Sequence, residues 1–547
     1  MNKNTKDKYN KNNLKNNLKK MWIADQGDGT YTNPILYTDY SDPDVIRVGE
    51  DYFMVASSFC NAPSVPLLHS KDLVNWKVIN YIMQELPFER YDRPVHGCGA
   101  WAPSIRFHEG VYYVFVPFPD EGIMMCKATD PWGEWSEPAF VRKVTGWIDP
   151  CPFWDDDGRA YMVTAFARSR IGFNSYLYMS PMEPDCSGVL GDGQFVFDGH
   201  DTQPIIEGPK LYKRNGYYYI FAPAGGVETG WQTVLRSRHI YGPYEERIVM
   251  RQGGSPVNGP HQGGWVDTPG GENWFIHFQD VGNAGRIIHL QPMRWENDWP
   301  VIGVKDTEGC GEPVMHYQKP DVGDSYPIDA PEDSDFFTGG KLGLQWQWNA
   351  NPKASWYELK DGCLVLHAEC VRYGQGESHR QAEKSLQLCD VPNLLLQKWP
   401  APEFKITSCL HLEGMQDGDE AGLVSQCLHY TALTVGKKDG RFRLLQRIGN
   451  WEKNDEVQAE LMLQEDSLFL EKIATEQKLY LRMQVKAEKE VSFAVSVDGD
   501  RFYPVGETEA ATPGRWVGAK AGLFAIREDE SVGGGTVSVE YFVFEAI

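Results

Sequence analysis

Three carboxylates stand at matched places in the first part of this sequence. Asp42 directly precedes Pro43, Asp149 directly precedes Pro150, and only Gly208 separates Glu207 from Pro209. A single Asp-Pro pair is a common turn initiator, and Glu-Gly-Pro alone says no more. Three at equivalent positions of a repeat carry a different meaning. If each proline opens the strand nearest a common axis, all three acids are aimed into one channel. Like charges converging there repel, so one of them must hold its proton above the usual carboxylate range. A protonated and an ionised carboxyl facing one space are the equipment of general acid and general base catalysis.

The elements that must position these acids are legible as a repeat. The stretches DPDVIRVGEDYFMVASS from Asp42, APSIRFHEGVYYVFVPF from Ala102, DPCPFWDDDGRAYMVTA from Asp149, GPKLYKRNGYYYIFAPA from Gly208 and GPHQGGWVDTPGGENWFIHF from Gly259 share one plan. Each has a proline, a short β-prone run, a tight polar turn and an aromatic-rich strand. Gly49-Glu50-Asp51, Glu109-Gly110, Asp157-Gly158 and Asn215-Gly216 are hairpin signals. The prolines at 43, 103, 150, 209 and 260 lie 60, 47, 59 and 51 residues apart. Five antiparallel units at that spacing predict a five-bladed β-propeller, in which neighbouring blades bury what one alone cannot.

Residues 321–335, DVGDSYPIDAPEDSD, place six acids and two prolines in fifteen residues, a linker composition. Beyond it the alternation has period two: Val491, Phe493, Val495 and Val497 point one way, Ser492, Ala494 and Ser496 the other. That pattern predicts a β-sandwich. The expected organisation is all-β: a disordered polar tail over 1–21, the propeller over 22–320, a linker over 321–334 and the sandwich over 335–547.

Composition narrows the partners. At 547 residues two domains are expected. A net charge of −23 argues against nucleic acid or anionic lipid as the main partner. Eighteen Trp, 26 Tyr and 25 Phe suit stacking on the apolar faces of sugars. Eleven cysteines without a C-x-x-C read as buried free thiols in a reducing compartment, with no zinc or redox motif visible in their spacing. The first twenty residues hold seven Lys and seven Asn but no apolar core of a signal peptide, and no apolar run is long enough to span a membrane. The expectation is a cytoplasmic protein with no membrane partner.

The stretches NPILYTDYSDPDVIRVGEDYFMV, GAWAPSIRFHEGVYYVF, WIDPCPFWDDDGRAYMV, EGPKLYKRNGYYYIF and GRIIHLQPMRW closely resemble glycoside hydrolase family 43, over roughly residues 31 to 310. DFFTGGKLGLQWQWNANP, after the linker, resembles the start of that family's concanavalin-like, jelly-roll sandwich. The resemblance implies exo-acting, inverting release of a terminal pentose, β-D-xylose or α-L-arabinofuranose, from xylo- or arabino-oligosaccharides. By this resemblance Asp42 is the general base, Glu207 the general acid, and Asp149 the third carboxylate that orients the acid and keeps its pKa high. An inverting pair leaves room for a water, with roughly 6.5–9.5 Å between carboxyl groups.

The resemblance also assigns a sugar-binding shell: Trp101 in GAWAPS, Phe59 in SSFCNAPS, Arg286 in AGRIIH and His261 in GPHQGG. In some relatives the matching His lies near a bound cation, so a calcium ion near His261 goes with the resemblance, although two carboxylates hydrolyse a glycoside without a metal. ATPGRWVGAKAG, with Arg515 and Trp516 at its tip, is the candidate sandwich loop that reaches over the site. Near the C-terminus Ser538 and Glu540 replace aspartates of the family pattern, which argues against calcium in the sandwich.

Other readings stay open here. Retaining sucrose- and fructan-cleaving propellers carry Arg before the middle Asp and Cys after the acid, where this chain has Ile148 and Gly208. A non-catalytic glycan-binding propeller would have lost carboxylates. Endo-arabinanases favour an open groove without a sandwich. α-L-Arabinofuranosidase as the main activity fits the residues as well as β-xylosidase does, and the family's assemblies also admit a homo-oligomer.

Overall fold

The computed structural model describes residues 11, 14–15, 18–306, 308–370, 387–453, 455–461, 467–527 and 533–547. Five units of four antiparallel strands in simple sequence order span residues 44–83, 104–142, 147–198, 210–250 and 261–302, and the fourth is extended at its outer edge by the short strands Gly311–Glu312 and Val304–Lys305. These are the five blades. The first strands of blades one and two, two and three, three and four, and five and one pack on each other around the axis. The turns behave as their residues dictate. His108 pairs with Val111 and Arg214 with Tyr217, so Glu109-Gly110 and Asn215-Gly216 are two-residue hairpins with positive φ at both positions, the type I′ geometry.

The ring closes through side-chain chemistry. Thr30–Thr32 pairs antiparallel with His316–Gln318, and Asn33, 2% exposed, knots the two ends together. Its amide donates to the carbonyls of Leu290 and Val314, both at 2.8 Å, and accepts from the Leu290 N–H at 2.9 Å.

Residues 347–545 contribute two sheets that sandwich one core, with Trp348, Leu396, Leu423, Leu481, Val539 and Phe542 among its members. The sandwich is not tethered only by the chain. Trp348 bridges to Ala62 through backbone hydrogen bonds of 2.6 and 3.1 Å, and Gln347 donates to Ser58 Oγ at 3.2 Å. Both contacts fall on the blade-one loop that carries Phe59.

Residues 321–334 contain no helix or strand, as a linker composition requires. The segment is nevertheless fastened down: Asp329 N–H donates to Asn75, and Asp333 accepts from Met21 N–H at 2.9 Å. Part of the expected tail is described. Residues 1–10, 12, 13, 16 and 17 lie outside the described residues, but Leu14 is 8% exposed and packs with Leu18 against Phe336, Cys409, Tyr541 and Val543 of the sandwich. Two leucines in an otherwise polar stretch supply the apolar contact. Cys60, Cys126, Cys151, Cys186, Cys389, Cys409 and Cys427 are buried free thiols. Among the described residues no helix is long and apolar enough to cross a membrane.

Replacing Asn33 with Ala strands the Leu290 N–H and the Val314 carbonyl in a dry site. At about 1–3 kcal/mol per stranded group, the expected outcome is a loss of roughly 2–6 kcal/mol, read as a lower urea midpoint of the unfolding transition that contains the propeller.

Candidate active site

The residue before the proline adopts the same backbone in four blades. Asp42, Asp149, Gly208 and Gly259 have φ of 56, 53, 58 and 46°. This left-handed conformation strains a residue with a side chain and persists only where the surroundings hold it. In blade four glycine takes the strained position, which displaces the carboxylate by one residue to Glu207. A Cβ on Gly208 would lie 2.8 Å from the Gln262 side chain. The offset seen in the sequence therefore has a steric cause, and the three acids still converge.

Their environments differ. Asp42, 5% exposed, accepts from Ser41 Oγ and Ser57 Oγ at 2.6 Å each and from the Arg286 guanidinium at 2.8 Å. Asp149, 4% exposed, accepts from the Gly208 N–H at 2.8 Å. Burial pushes its carboxyl up to about 6, and the charge of Asp42 adds to the shift. Glu207 has no such donors. Its side chain keeps 28% exposure along the channel edge, yet enclosure of the carboxyl by protein, with Asp149 and Asp42 beside it, pushes it up to about 8, against the pull of Arg286.

His261 is 1% exposed, and its Nε2 lies 3.5 Å from Glu207 Oε1. Burial, reinforced by the positive charge of Arg286, holds its pKa down to about 3, so the imidazole is neutral. Both ring nitrogens lack a protein partner. These residues do not fit a calcium cage. Calcium takes six to eight oxygen ligands, whereas the groups acting on His261 are the Glu207 carboxyl that holds its proton, the Asp42 carboxylate already bonded to Arg286, the Phe278 ring at 5.2 Å, the His277 ring and the Arg286 guanidinium.

The aromatic residues form one wall. Trp101 has Phe59 at 6.1 Å and Trp516 of the sandwich edge-on at 4.9 Å. Trp101 also packs against the buried cluster that contains Ile148 and Ile206, the neighbours of Asp149 and Glu207. Its indole N–H is buried without a partner, a donor free for a sugar hydroxyl. Trp516 is seated closely: a Cβ on Gly97 would fall 2.7 Å from Arg515 Cγ and 3.3 Å from the Trp516 ring.

The structure thus brings together Asp42, Asp149, Glu207, His261 and Arg286, with Phe59, Trp101 and Trp516 alongside. Sequence reasoning missed Arg170, whose guanidinium lies 5.0 Å from the Trp101 ring and 6.0 Å from Trp516, held by Asp120 at 2.9 Å and the Gly97 carbonyl at 3.0 Å. It also missed Ser57 and Asp39. Asp39 accepts from the backbone N–H of Arg286 and of Gly518, both at 2.9 Å. No local motif marks any of the three.

A five-bladed propeller with three converging acids, one still protonated at neutral pH, beside a tryptophan wall defines a glycoside-cleaving enzyme. The comparisons agree. The glycosyl hydrolases family 43 domain matches residues 31–300, and the beta xylosidase C-terminal concanavalin A-like domain matches residues 334–545. A putative beta-xylosidase of Xylanibacter ruminicola is 40% identical over 507 residues, covering 91% of this chain and 87% of that protein. A non-reducing end alpha-L-arabinofuranosidase of Bacteroides ovatus is 27% identical over 460 residues, 78% of this chain and 80% of its own. The crystal structure of a family 43 protein from Bacillus licheniformis superposes with a TM-score of 0.76 at 25% identity, over 95% of this chain and 100% of that one. The chain belongs to glycoside hydrolase family 43.

The raised Glu207 pKa has a consequence for stability. The folded state binds this proton more tightly than the unfolded chain, so the stabilisation is present at low pH and is lost as pH rises through about 8. Glu207→Gln has no proton to lose. The melting temperature of the variant relative to wild type is expected to increase between about pH 6 and about pH 9, measured by thermal unfolding in matched buffers.

Proposed function

We propose that this chain is an exo-acting, inverting glycosidase that releases single β-D-xylosyl or α-L-arabinofuranosyl units from the non-reducing ends of oligosaccharides. The observation that carries the reading is the division of protonation: Glu207 keeps its proton at neutral pH, while Asp42 is cradled by two hydroxyls and a guanidinium. In the reaction Glu207 gives its proton to the glycosidic oxygen as the bond to the anomeric carbon breaks. Asp42 takes a proton from the water that attacks the opposite face, and the configuration inverts. Asp149, hydrogen-bonded to the Gly208 N–H, fixes the backbone beside the acid and adds the negative charge that keeps its proton on. Arg286 orients Asp42. The neutral His261 and the free indole N–H of Trp101 are placed for sugar hydroxyls, and Phe59 with Trp516 lines an apolar side.

The pentose assignment is supported by relatives named for both sugars, and no cofactor enters the chemistry. Trp516, brought in by the sandwich, narrows one side of the channel and favours a chain end over a chain interior. A cytoplasmic enzyme that receives short imported oligosaccharides is the setting consistent with reduced, buried thiols.

The test is turnover of the p-nitrophenyl β-D-xylopyranoside and α-L-arabinofuranoside and of xylobiose. Asp42→Asn is expected to lower kcat by about 10²–10⁴-fold on all three. Glu207→Gln is expected to cost more on xylobiose than on the aryl glycosides, because nitrophenolate leaves without a proton. Equal background rates in wild type and both variants would overturn the reading. In the wild type, the fall in kcat/KM on xylobiose at high pH is expected near the Glu207 value of about 8, and that limb should be absent from the residual activity of Glu207→Gln.

A further inference from the structure

The outer face of the sandwich carries a cluster that the hydrolytic site does not use. Phe404–His411, Lys478–Lys486 and Thr536–Glu545 are neighbouring strands of one sheet. Their core-facing residues include Leu410, Leu479 and Val539, which leaves Cys409, His411 and Lys478 on the other face. The last strand contains a bulge: Cys409 pairs with Tyr541 but Leu410 with Val539, so Glu540 is the extra residue. A bulge re-aims a side chain, and here it turns Glu540 toward Cys409 and His411. The ligand atoms of Cys409, His411 and Glu540 all lie within 4.8 Å of one another. Cys409 Sγ is 3.4 Å and His411 Nε2 is 3.2 Å from Glu540 Oε2.

Those separations suit a metal. Tetrahedral zinc with bonds of about 2.0–2.3 Å holds its ligands roughly 3.3–3.8 Å apart. A sulfur, an imidazole nitrogen and a carboxylate oxygen are the zinc donor set. The charge already present is that of a cation's place: the Lys478 ammonium sits 3.1 Å from Glu540 Oε2.

We propose that Cys409, His411 and Glu540 form a binding site for a thiophilic divalent metal of the zinc class, which clips the last strand of the sandwich to the neighbouring Phe404–His411 strand. Binding exchanges charge evenly. One Zn²⁺ enters, the Cys409 thiol releases one proton as its sulfur becomes a thiolate ligand, and the Lys478 ammonium moves out intact. The thiol proton and the ammonium together carry the two positive charges that the metal replaces. Lys478 is 30% exposed, so solvent is within its reach. The other cluster of metal-binding types, His96, Cys389 and Asp390, is committed elsewhere: His96 bonds the Cys389 carbonyl at 3.1 Å and the Cys389 thiol bonds Gln387 at 3.4 Å.

The experiment is a titration of the chelator-treated full chain with cobalt(II), read by absorption. One equivalent is expected to give a near-ultraviolet sulfur-to-cobalt charge-transfer band with the strong visible bands of tetrahedral cobalt, and equimolar zinc should bleach both. Cys409→Ser is expected to abolish the charge-transfer band, and His411→Ala and Glu540→Gln to weaken binding. Lys478→Met, which removes the competing ammonium, should tighten it. Far-ultraviolet circular dichroism checks that each variant is folded; His411 and Glu540 lie at the half-exposed edge, so their variants carry the test if Cys409→Ser does not fold. A charge-transfer band that survives Cys409→Ser, or no such band in the wild type, overturns the site.

Discussion

Three carboxylic acids on one axis repel each other, and the rest of the propeller is arranged around that repulsion. It is not relieved by spacing the acids apart, because the three carboxyls still act on one another in one channel. It is relieved unequally. Asp42 receives two hydroxyls and a guanidinium, Asp149 one backbone N–H, and Glu207 none. The differences in donor supply turn three similar groups into three different ones. Below them Asp44, Arg106 and Lys210 cross-link the inner strands of blades one, two and four, with the Asp44–Arg106 pair at 2.6 Å. Buried charges of this kind are costly singly and tolerable when paired, and this pairing ties the inner strands together before any substrate arrives.

The same repulsion explains why the backbone is strained where the acids enter. A left-handed residue before the proline turns its side chain toward the axis, and a proline after it cannot relax into a helix. In blade four the glycine satisfies the backbone at no steric cost. Its N–H then serves Asp149, so one peptide both places Glu207 and supports its neighbour.

Much of this was legible in the sequence because it repeats. Proline, turn and aromatic strand recur five times, and the hairpin residues are those that positive φ demands, so the blades and the convergence of Asp42, Asp149 and Glu207 could be read from spacing. The sandwich announced itself by alternation. What could not be read was whatever depends on contact between distant segments. Arg170 is a lone arginine in the sequence and joins the aromatic wall only because Trp101 at the entry to blade two and Trp516 of the sandwich loop lie beside it. Asp39 precedes a conspicuous Asp-Pro and looks like loop. Leu14 and Leu18 are two apolar residues in a polar stretch, too few for a pattern, and gain meaning only from the apolar patch beside Phe336 and Tyr541. Glu540 reads as a departure from an acidic pattern, whereas the bulge that aims it is a property of strand pairing.

The one cation nearest the acids also links the two domains. Arg286 touches Asp42 through its guanidinium and Asp39 through its backbone N–H. Asp39 gives its second carboxylate oxygen to the Gly518 N–H, and its carbonyl accepts from Lys398 at 2.6 Å. Gly518 belongs to the loop that carries Trp516, and Lys398 to the sandwich sheet. There is no space to loosen the joint: a Cβ on Gly285 would lie 2.6 Å from the Gly518 nitrogen and from the Asp39 carboxyl. A shift of the sandwich would therefore move Asp39, and with it the arginine whose position makes Asp42 unlike Glu207. The second domain is thus more than a wall for the channel, because it sets the position of the guanidinium that bonds Asp42.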